Sequence, residues 1–258
     1  MIRGILDFLR GGADLPPAGQ RRKLFFNEGP DHLYAIGDVH GCDDLLARLE
    51  DRILKDSRGR DGSKWLVMLG DYVDRGPKSA SVLDRLTAKP RGDIRRICLA
   101  GNHEDAMLDF LRNPSPDHRW LDFGGLETLY SYGLYTLPTG RKALKSALQA
   151  HIPDEHIGFL ESLPSLLSVP GHCLVHAGLR PGVALEAQQD MDLLWLRPGD
   201  LGASPASAGF VTVHGHTPVD AVEIGPARIN VDTGAYMSGI LSAVRLSRRN
   251  PPEIIQSS

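Results

Sequence analysis

Three short apolar runs in the first half of the chain each end in a polar, glycine-containing cluster and are followed by a helix-like stretch. The runs are HLYAIGDVHG (32–41), KWLVMLGDYVDRG (64–76) and RRICLAGNHE (95–104). Three strand–loop–helix units in succession predict βαβ connections and a sheet that is at least partly parallel. This repeated pattern restricts the first half of the chain to an α/β architecture.

The second half has a different pattern. Residues 105–170 contain aromatic and helix-like segments, which predict an inserted cap, whereas short β-like runs dominate from residue 172 onward. We therefore expect an α/β core closed by a more antiparallel C-terminal half. In this interpretation the main domain spans residues 31–248, and residues 249–258 form an extended tail.

The N-terminal segment, residues 1–30, combines an apolar stripe with a Gly- and Pro-rich stretch. Ile2, Ile5, Leu6 and Leu9 recur at helical spacing, which predicts a short amphipathic helix followed by a linker over 11–30. We expect the helix to dock on the body of the protein or on a partner, with binding to a membrane surface as the alternative.

Composition excludes several classes of protein. The 258 residues are 41% hydrophobic and 24% charged, as in soluble globular proteins, and the net charge of -3 provides no basic field for nucleic acid or anionic lipid. No apolar stretch approaches the roughly 20 residues of a membrane span. The three cysteines are scattered and lack CxxC spacing, which favours a reducing cytoplasm over a disulfide framework. The sequence does not indicate an oligomeric state.

Polar side chains that suit a metal site recur where the apolar runs end. In an open α/β sheet this is the edge at which ligands bind. The residues are Asp38, His40, Asp71, Asp74, Arg75, Asn102, His103, Glu104, His176 and His216. Carboxylate, imidazole and amide together suit divalent Mn, Fe or Zn better than a thiolate site or a calcium cage. One carboxylate, Asp71 in our interpretation, could bridge two ions.

The motifs GDVHG, GDYVDRG and GNHE, followed by HAG and GHT, resemble the signature of the phosphoprotein phosphatase (PPP-type) metallophosphoesterases. The resemblance covers roughly residues 32–245 and is closest to the bacterial serine/threonine protein phosphatases. It implies a calcineurin-like β-sandwich flanked by helices, with two divalent metal ions. Mn²⁺ is the expected metal, and Fe and Zn are alternatives.

The resemblance also implies roles for individual residues. Asp38, His40 and Asp71 would bind the first ion, and Asp71, Asn102, His176 and His216 the second. A metal-bridging hydroxide would attack phosphorus, while His103, oriented by Asp74, would protonate the departing oxygen. Arg75 would clamp the phosphate, with Asn102 close to it. Arg197, which follows a Trp in DLLWLRP, is a second candidate phosphate ligand, with a loop-capping role as the alternative.

The expected substrate is a phosphorylated protein, with the choice among phosphoserine, phosphothreonine and phosphotyrosine left open. The alternative is a dinucleoside polyphosphate such as diadenosine tetraphosphate. The related symmetrical hydrolases of those compounds typically have Ala where this chain has Asp74. A non-catalytic phosphate-binding module is the third hypothesis, and the intact motifs argue against it. A nuclease is not expected, because no basic, aromatic-interleaved groove is visible.

Other residues have weaker assignments. Glu104 is expected to support its loop or to start the following helix, and Asp232 in VDTG to buttress the site from outside. Cys42 is expected to be a small buried residue at a helix start. The rings of Trp120, Phe123, Tyr130 and Tyr132 are expected in the cap core, with stacking on a substrate ring as the alternative. In HGHTP, Pro218 stands where the wider superfamily often has a second histidine ligand, so His216 is the predicted ligand and His214 stays unassigned.

Overall fold

The computed structural model describes residues 20–197, 209–247 and 250–258, and these residues form two stacked β-sheets with helices on their outer faces. The strands are β1 (Lys23–Phe25), β2 (His32–Ile36), β3 (Lys64–Met68), β4 (Ile94–Cys98), β5 (Leu166–Val169), β6 (His172–Val175), β7 (Val211–His214), β8 (Glu223–Ile224), β9 (Arg228–Asn230), β10 (Ser242–Ser247) and β11 (Glu253–Gln256). The helices are α1 (Asp43–Ser57), α2 (Ser79–Thr87), α3 (Asn102–Arg112), α4 (Gly125–Ser131), α5 (Arg141–His151), α6 (Asp154–Ser162), α7 (Asp190–Trp195) and α8 (Ala235–Ser238). Arg119–Phe123 and Leu185–Ala187 are 3₁₀ turns.

The first sheet has the strand order β11-β10-β2-β3-β4. Strands β2, β3 and β4 run parallel, with Ala35 opposite Val67 and Val67 opposite Ile97. Each is followed by a helix, so the predicted βαβ connections and the partly parallel sheet are confirmed. The polar ends of the three parallel strands consequently meet at one edge.

The second sheet has the order β1-β5-β6-β7-β9-β8. It is mixed, because β6, β7 and β9 run parallel to one another whereas β5 with β6 and β8 with β9 are antiparallel. Since β10 is also antiparallel to β2 and to β11, the C-terminal half is more antiparallel than the first half, as expected. The connections from β6 to β7 and from β7 to β9 are long enough to return the chain to the starting edge, so short hairpins are not required. The parallel course of β6 and β7 places the ends of both strands at the same edge of the sandwich.

The core of the sandwich follows from alternation along the strands. Leu33 and Ala35 of β2 are buried against the second sheet, where they pack in one cluster with residues such as Leu174 and Val213. Tyr34 and Ile36, on the other face, are buried in a cluster that contains the helices. Because a strand between two layers buries both faces, β2 and β3 consist almost entirely of apolar residues.

Residues 105–162 of the segment that was predicted as an inserted cap are mainly helical and cover the outer face of the first sheet, whereas its end forms β5 of the second sheet. The helical part contains most of α3, the 3₁₀ turn at Arg119–Phe123, and α4 to α6, and its buried apolar side chains belong to the same cluster as Tyr34 and Ile36. Trp120 has no exposed surface, in agreement with the expected core position. By contrast, Phe123 and Tyr130 are about two-fifths exposed.

Both ends of the described chain contain strands that sequence reasoning missed. Lys23–Phe25, predicted as linker, pairs in parallel with β5, and Glu253–Gln256, predicted as tail, pairs antiparallel with β10. Both are edge strands of only three or four residues, which is too short for a clear local periodicity, and the partner of Lys23–Phe25 is also distant in sequence. The predicted N-terminal helix lies outside the described residues. Within the described ranges, no helix has both the length and the apolar character needed to cross a membrane.

Candidate metal centre

The loops at the shared edge of the two sheets hold an unusual backbone conformation. Among the described residues other than glycine, only five have a positive φ: His40, Asp71, Asp74, Arg75 and His216. A side chain disfavours this region, and residues held there occur mostly where the surrounding structure fixes a functional site. All five belong to the predicted site, so the strained backbone and the predicted chemistry coincide.

Glu104 fixes two of these loops to each other. Its side chain is fully buried and accepts hydrogen bonds from the backbone N–H groups of Gly101 and Asp71, both at 2.8 Å, and of Tyr72 at 2.7 Å. Burial and the neighbouring Asp71 carboxylate raise the pKa of Glu104 to about 7, while the N–H donors favour its ionised form. The expected loop-supporting role of Glu104 is thus what the geometry shows.

Three ligand atoms converge next to Asp71 Oδ1. His176 Nε2 lies 3.4 Å from this oxygen and 2.9 Å from Asn102 Oδ1, and His216 Nδ1 lies 2.9 Å from the same amide oxygen. His176 Nδ1 donates to the Leu69 carbonyl at 2.9 Å, so Nε2 presents a lone pair to the cluster. Burial lowers the pKa of His176, which keeps the imidazole neutral.

A second group surrounds the other oxygen of Asp71. His40 Nε2 lies 3.4 Å and His103 Nε2 lies 3.9 Å from Asp71 Oδ2. His40 Nδ1 donates to the Val73 carbonyl at 2.8 Å, so its Nε2 is also an acceptor. Burial lowers the pKa of His40 to about 3.

Asp38 lies at the same edge, but it is not a member of either ligand cluster that the described residues form. Its carboxylate oxygens accept from the backbone N–H of His216, each at 3.1 Å. Burial, followed by the charges of Asp232 and Asp71, raises the pKa of Asp38 well above its usual range. Three carboxyl groups are therefore crowded into this edge of the sandwich, an arrangement that a bound cation would stabilise.

His103 and Asp74 form a buried pair. His103 Nδ1 donates to Asp74 Oδ2 at 2.6 Å, and both side chains are almost completely buried. Burial disfavours the charged imidazole, but Asp71 and Asp74 outweigh it and raise the pKa of His103 above its usual value. The other ring nitrogen, Nε2, faces the metal-ligand cluster.

The Asp74 carboxylate has two further partners, which sequence reasoning missed. Trp120 Nε1 donates to Oδ2 at 2.8 Å, and the Thr128 hydroxyl donates to Oδ1 at 2.7 Å. The Thr128 oxygen also accepts from the Asp74 backbone N–H at 2.8 Å. The motif WLDFGGLETLYSYG contains both residues, but no local pattern connects them to a loop about 50 positions earlier.

Arg75 lies across the mouth of the site. Its Nη1 is 3.1 Å from His40 Nε2 and its Nη2 is 3.1 Å from His103 Nε2. The guanidinium also stacks over the ring of Tyr236, with 4.8 Å from Cζ to the ring centroid. Tyr236 in turn lies edge-on to His40, with ring centroids 5.3 Å apart. Sequence reasoning did not identify Tyr236, although it lies four residues after Asp232.

The remaining predicted residues occupy different positions. Arg197 is exposed. Burial is the main cause that lowers the pKa values of His176 and His216, and the charge of Arg197 adds to it, which places Arg197 near the group around Asp71 Oδ1. His214 is buried but is not a member of either described cluster, and its Nδ1 contacts the Gly215 carbonyl at 3.0 Å. Asp232 accepts from the Gly234 N–H at 2.9 Å and so shapes the neighbouring loop.

The donor set fits divalent metal ions. The described residues contain two compact clusters, His40–Asp71–His103 and Asp71–His176–His216, and Asp71 is common to both. Beside the second cluster, His176 Nε2 lies within hydrogen-bond distance of Asn102 Oδ1 and slightly farther from Asp71 Oδ1, and all three atoms are acceptors. Acceptors that face one another at this range are favourable when a cation lies between them, and the mixture of nitrogen and oxygen suits Mn, Fe or Zn.

Comparisons with known proteins agree with this geometry. A family model described as calcineurin-like phosphoesterase matches residues 32–238. The asymmetrical bis(5'-nucleosyl)-tetraphosphatase PrpE of Oceanobacillus iheyensis is 25% identical over 83% of this chain and 88% of its own length. Serine/threonine-protein phosphatase 1 of Salmonella typhimurium is 29% identical over 83% of this chain and 92% of its own length.

Among solved structures, one described as a candidate diadenosine tetraphosphatase superimposes with a TM-score of 0.61 and 21% identity, over 92% of this chain and 98% of that chain. This similarity supports the fold. The family match includes strands of both sheets and every predicted metal ligand. The chain therefore belongs to the calcineurin-like phosphoesterase family.

Proposed function

We propose that this metallophosphoesterase hydrolyses dinucleoside tetraphosphates at a site that holds two divalent metal ions. The observation that carries the chemistry is the orientation of Asp71, whose two carboxylate oxygens face separate groups of ligands. A carboxylate shared in this way is typical of two-metal hydrolases. The substrate class is supported by the relatives with that name, which align over more than four-fifths of this chain.

In this proposal Asp38, His40 and Asp71 hold one ion, and Asp71 with Asn102, His176 and His216 holds the other. Such ions polarise phosphoryl oxygens and lower the pKa of bound water, with Mn²⁺ as the proposed metal and Fe or Zn as alternatives. Lone pairs are available because His40 and His176 both donate from Nδ1 to backbone carbonyls. Those bonds fix the ring orientation as well as the tautomer.

His103 is the proposed proton donor. Asp74 fixes its Nδ1, so Nε2 points toward the ligands and can protonate the oxygen that leaves phosphorus. Asp71 and Asp74 raise the pKa of His103 against the effect of burial, so a proton is available near neutral pH. Arg75 has a guanidinium fork at the mouth of the site, where it can bind phosphate oxygens, and Arg197 is proposed to assist from the opposite side.

A second candidate function is the hydrolysis of phosphorylated serine, threonine or tyrosine in proteins. The His103–Asp74 pair favours it, because an alcohol leaving group is more basic than a phosphate and gains more from a proton donor. The 29% identity to a serine/threonine phosphatase supports the same possibility. The buried free thiols Cys98 and Cys173 are compatible with the cytoplasmic location proposed for either activity.

The test uses protein stripped of metal and reconstituted with Mn²⁺. Diadenosine tetraphosphate is assayed beside phosphoserine, phosphothreonine and phosphotyrosine peptides, with His103→Asn as the matched catalytic variant. We expect metal-dependent turnover with the highest kcat/KM on the dinucleotide and a loss of at least about 100-fold in His103→Asn. Higher kcat/KM on a peptide would select the second function, and absence of metal-dependent turnover on all substrates would exclude both.

A further inference from the structure

The strongest unassigned feature of the site is the contact between the inserted helical segment and the Asp74 carboxylate. We propose that Thr128 and Trp120 are positioning residues, which hold Asp74 in the single orientation that presents Oδ2 to His103 Nδ1. The proposal rests on the role of His103 as proton donor in the proposed function. It adds the helical segment between β4 and β5 to the proton-donating machinery.

The geometry of Asp74 supports this role. The residue has a left-handed backbone, with φ of 74°, and no exposed surface. A carboxylate buried in this way needs hydrogen-bond donors for both oxygens. Oδ2 receives His103 Nδ1 and Trp120 Nε1, and Oδ1 receives the Thr128 hydroxyl. Without the two donors from the helical segment, His103 alone would hold a carboxylate that could rotate.

Thr128 contributes a second constraint. Its oxygen accepts from the Asp74 N–H, and its hydroxyl lies 3.1 Å from the Ser79 oxygen at the start of α2. One side chain therefore fixes both the backbone and the carboxylate of Asp74. Trp120 is held in turn by Phe110 of α3, whose ring centroid is 4.9 Å away, so its N–H has a defined direction.

A chemical role is separable from a packing role by choice of substitution. Thr128→Val keeps the shape of the side chain and removes the hydroxyl, whereas Thr128→Ser keeps the hydroxyl. Trp120→Phe keeps an aromatic ring and removes the N–H. Leu144→Val is the control, because it disturbs the buried core of the same helical segment at α5 and removes no donor to Asp74. Thermal unfolding of each variant shows which of them are folded.

The first readout is a double-mutant cycle with Asp74→Ala on the best substrate of the wild type. We expect kcat to fall about 10-fold in Thr128→Val and in Trp120→Phe, with KM within about 2-fold and with Thr128→Ser close to the wild type. In the Asp74→Ala background the same substitutions should cause no further loss, since they act through Asp74. Losses that add in that background, or an unchanged kcat, would overturn the proposal. If Trp120→Phe does not fold, Thr128→Val decides the outcome.

The second readout does not depend on turnover. In the metal-free protein, the His103 Nδ1 proton should give a hydrogen-bonded resonance at low field in the NMR spectrum, identified by its loss in His103→Asn. We expect this resonance to move upfield or to broaden in Thr128→Val and to stay in place in Leu144→Val. An unmoved resonance in Thr128→Val would refute the positioning role. This result can be obtained even if the enzyme is inactive on every substrate, so failure of the positioning role is distinct from failure of the proposed function.

Discussion

Replacement of Glu104 by Gln tests how the strained loops of the site are held together. The carboxylate accepts from two N–H groups at each oxygen: Gly101 and Asp71 at Oε2, and Tyr72 and, at 3.4 Å, Val73 at Oε1. A glutamine offers one oxygen and one NH₂ group in the same space. In either orientation, its NH₂ group faces two backbone donors and accepts from neither.

The magnitude follows from the count of orphaned donors. A buried donor without a partner costs roughly 1–3 kcal/mol. The glutamine should turn its NH₂ toward Tyr72 and Val73, because the Val73 contact is the longest of the four. Removing the charge also relieves repulsion with Asp71, which offsets part of the loss. We expect the free energy of unfolding to fall by about 2–4 kcal/mol, which corresponds to roughly 4–16 °C in Tm for a domain of this size.

The measurement is thermal and urea-induced unfolding of the metal-free protein. Glu28→Gln is the matched control, since it makes the same chemical change at an exposed position and should stay within about 0.5 kcal/mol of the wild type. If Glu104→Gln loses less than about 1 kcal/mol, then Glu104 does not organise these loops, and their left-handed residues must be stabilised by other contacts.

Three further predictions concern other parts of the site and the fold. Tyr236→Leu should raise KM about 2- to 5-fold through loss of the cation–π contact with Arg75, while Tyr236→Phe retains the KM of the wild type in steady-state assays. His216→Asn should lower the metal content measured by mass spectrometry from two equivalents to one, whereas His214→Asn should keep both, because His214 lies outside the described clusters. Burial lowers the pKa of His172 below 6.5, so its folded state disfavours protonation and stability is lost as the pH falls below that value. The stability advantage of the wild type over His172→Gln should therefore shrink as the pH falls from 7 to 5 in urea unfolding, and an advantage that stays constant or grows would contradict it.

The part of the site on the first sheet was predictable from sequence because its signals are local. Each apolar run forms a strand that is buried on both faces, and each polar cluster directly follows the end of its strand. Once β2, β3 and β4 are parallel, the edges that contain His40, Asp71 and Asn102 must coincide. The left-handed conformations of His40 and Asp71 were not predictable, since glycine-rich motifs suggest turns without showing which residue takes the positive φ.

The part on the second sheet had weaker local support. His176 and His216 were identified by resemblance to a family, and their strands are only four residues long. The parallel course of β6, β7 and β9, which brings both histidines to the shared edge, depends on long connections with no diagnostic pattern. The edge strand β1 was missed because its partner β5 is remote in sequence. Strand β11 pairs with the neighbouring β10, but it is only four residues long and has no clear local pattern.

Asp74 shows where sequence reasoning could have gone further. A carboxylate that orients an imidazole in a dry site must be buried, and a buried carboxylate requires donors for both of its oxygens. The sequence analysis assigned Asp74 only one donor, His103, so one carboxylate oxygen still lacked a donor. The missing donors had to be side chains with an N–H or O–H group that are buried elsewhere, and the polar Thr128 within an otherwise apolar helical stripe is such a residue. Chemistry alone shows that Asp74 needs a further donor. Which residue provides it is not visible in the sequence, because Thr128 lies 54 positions away and reaches Asp74 only through the packing of α4 against α2.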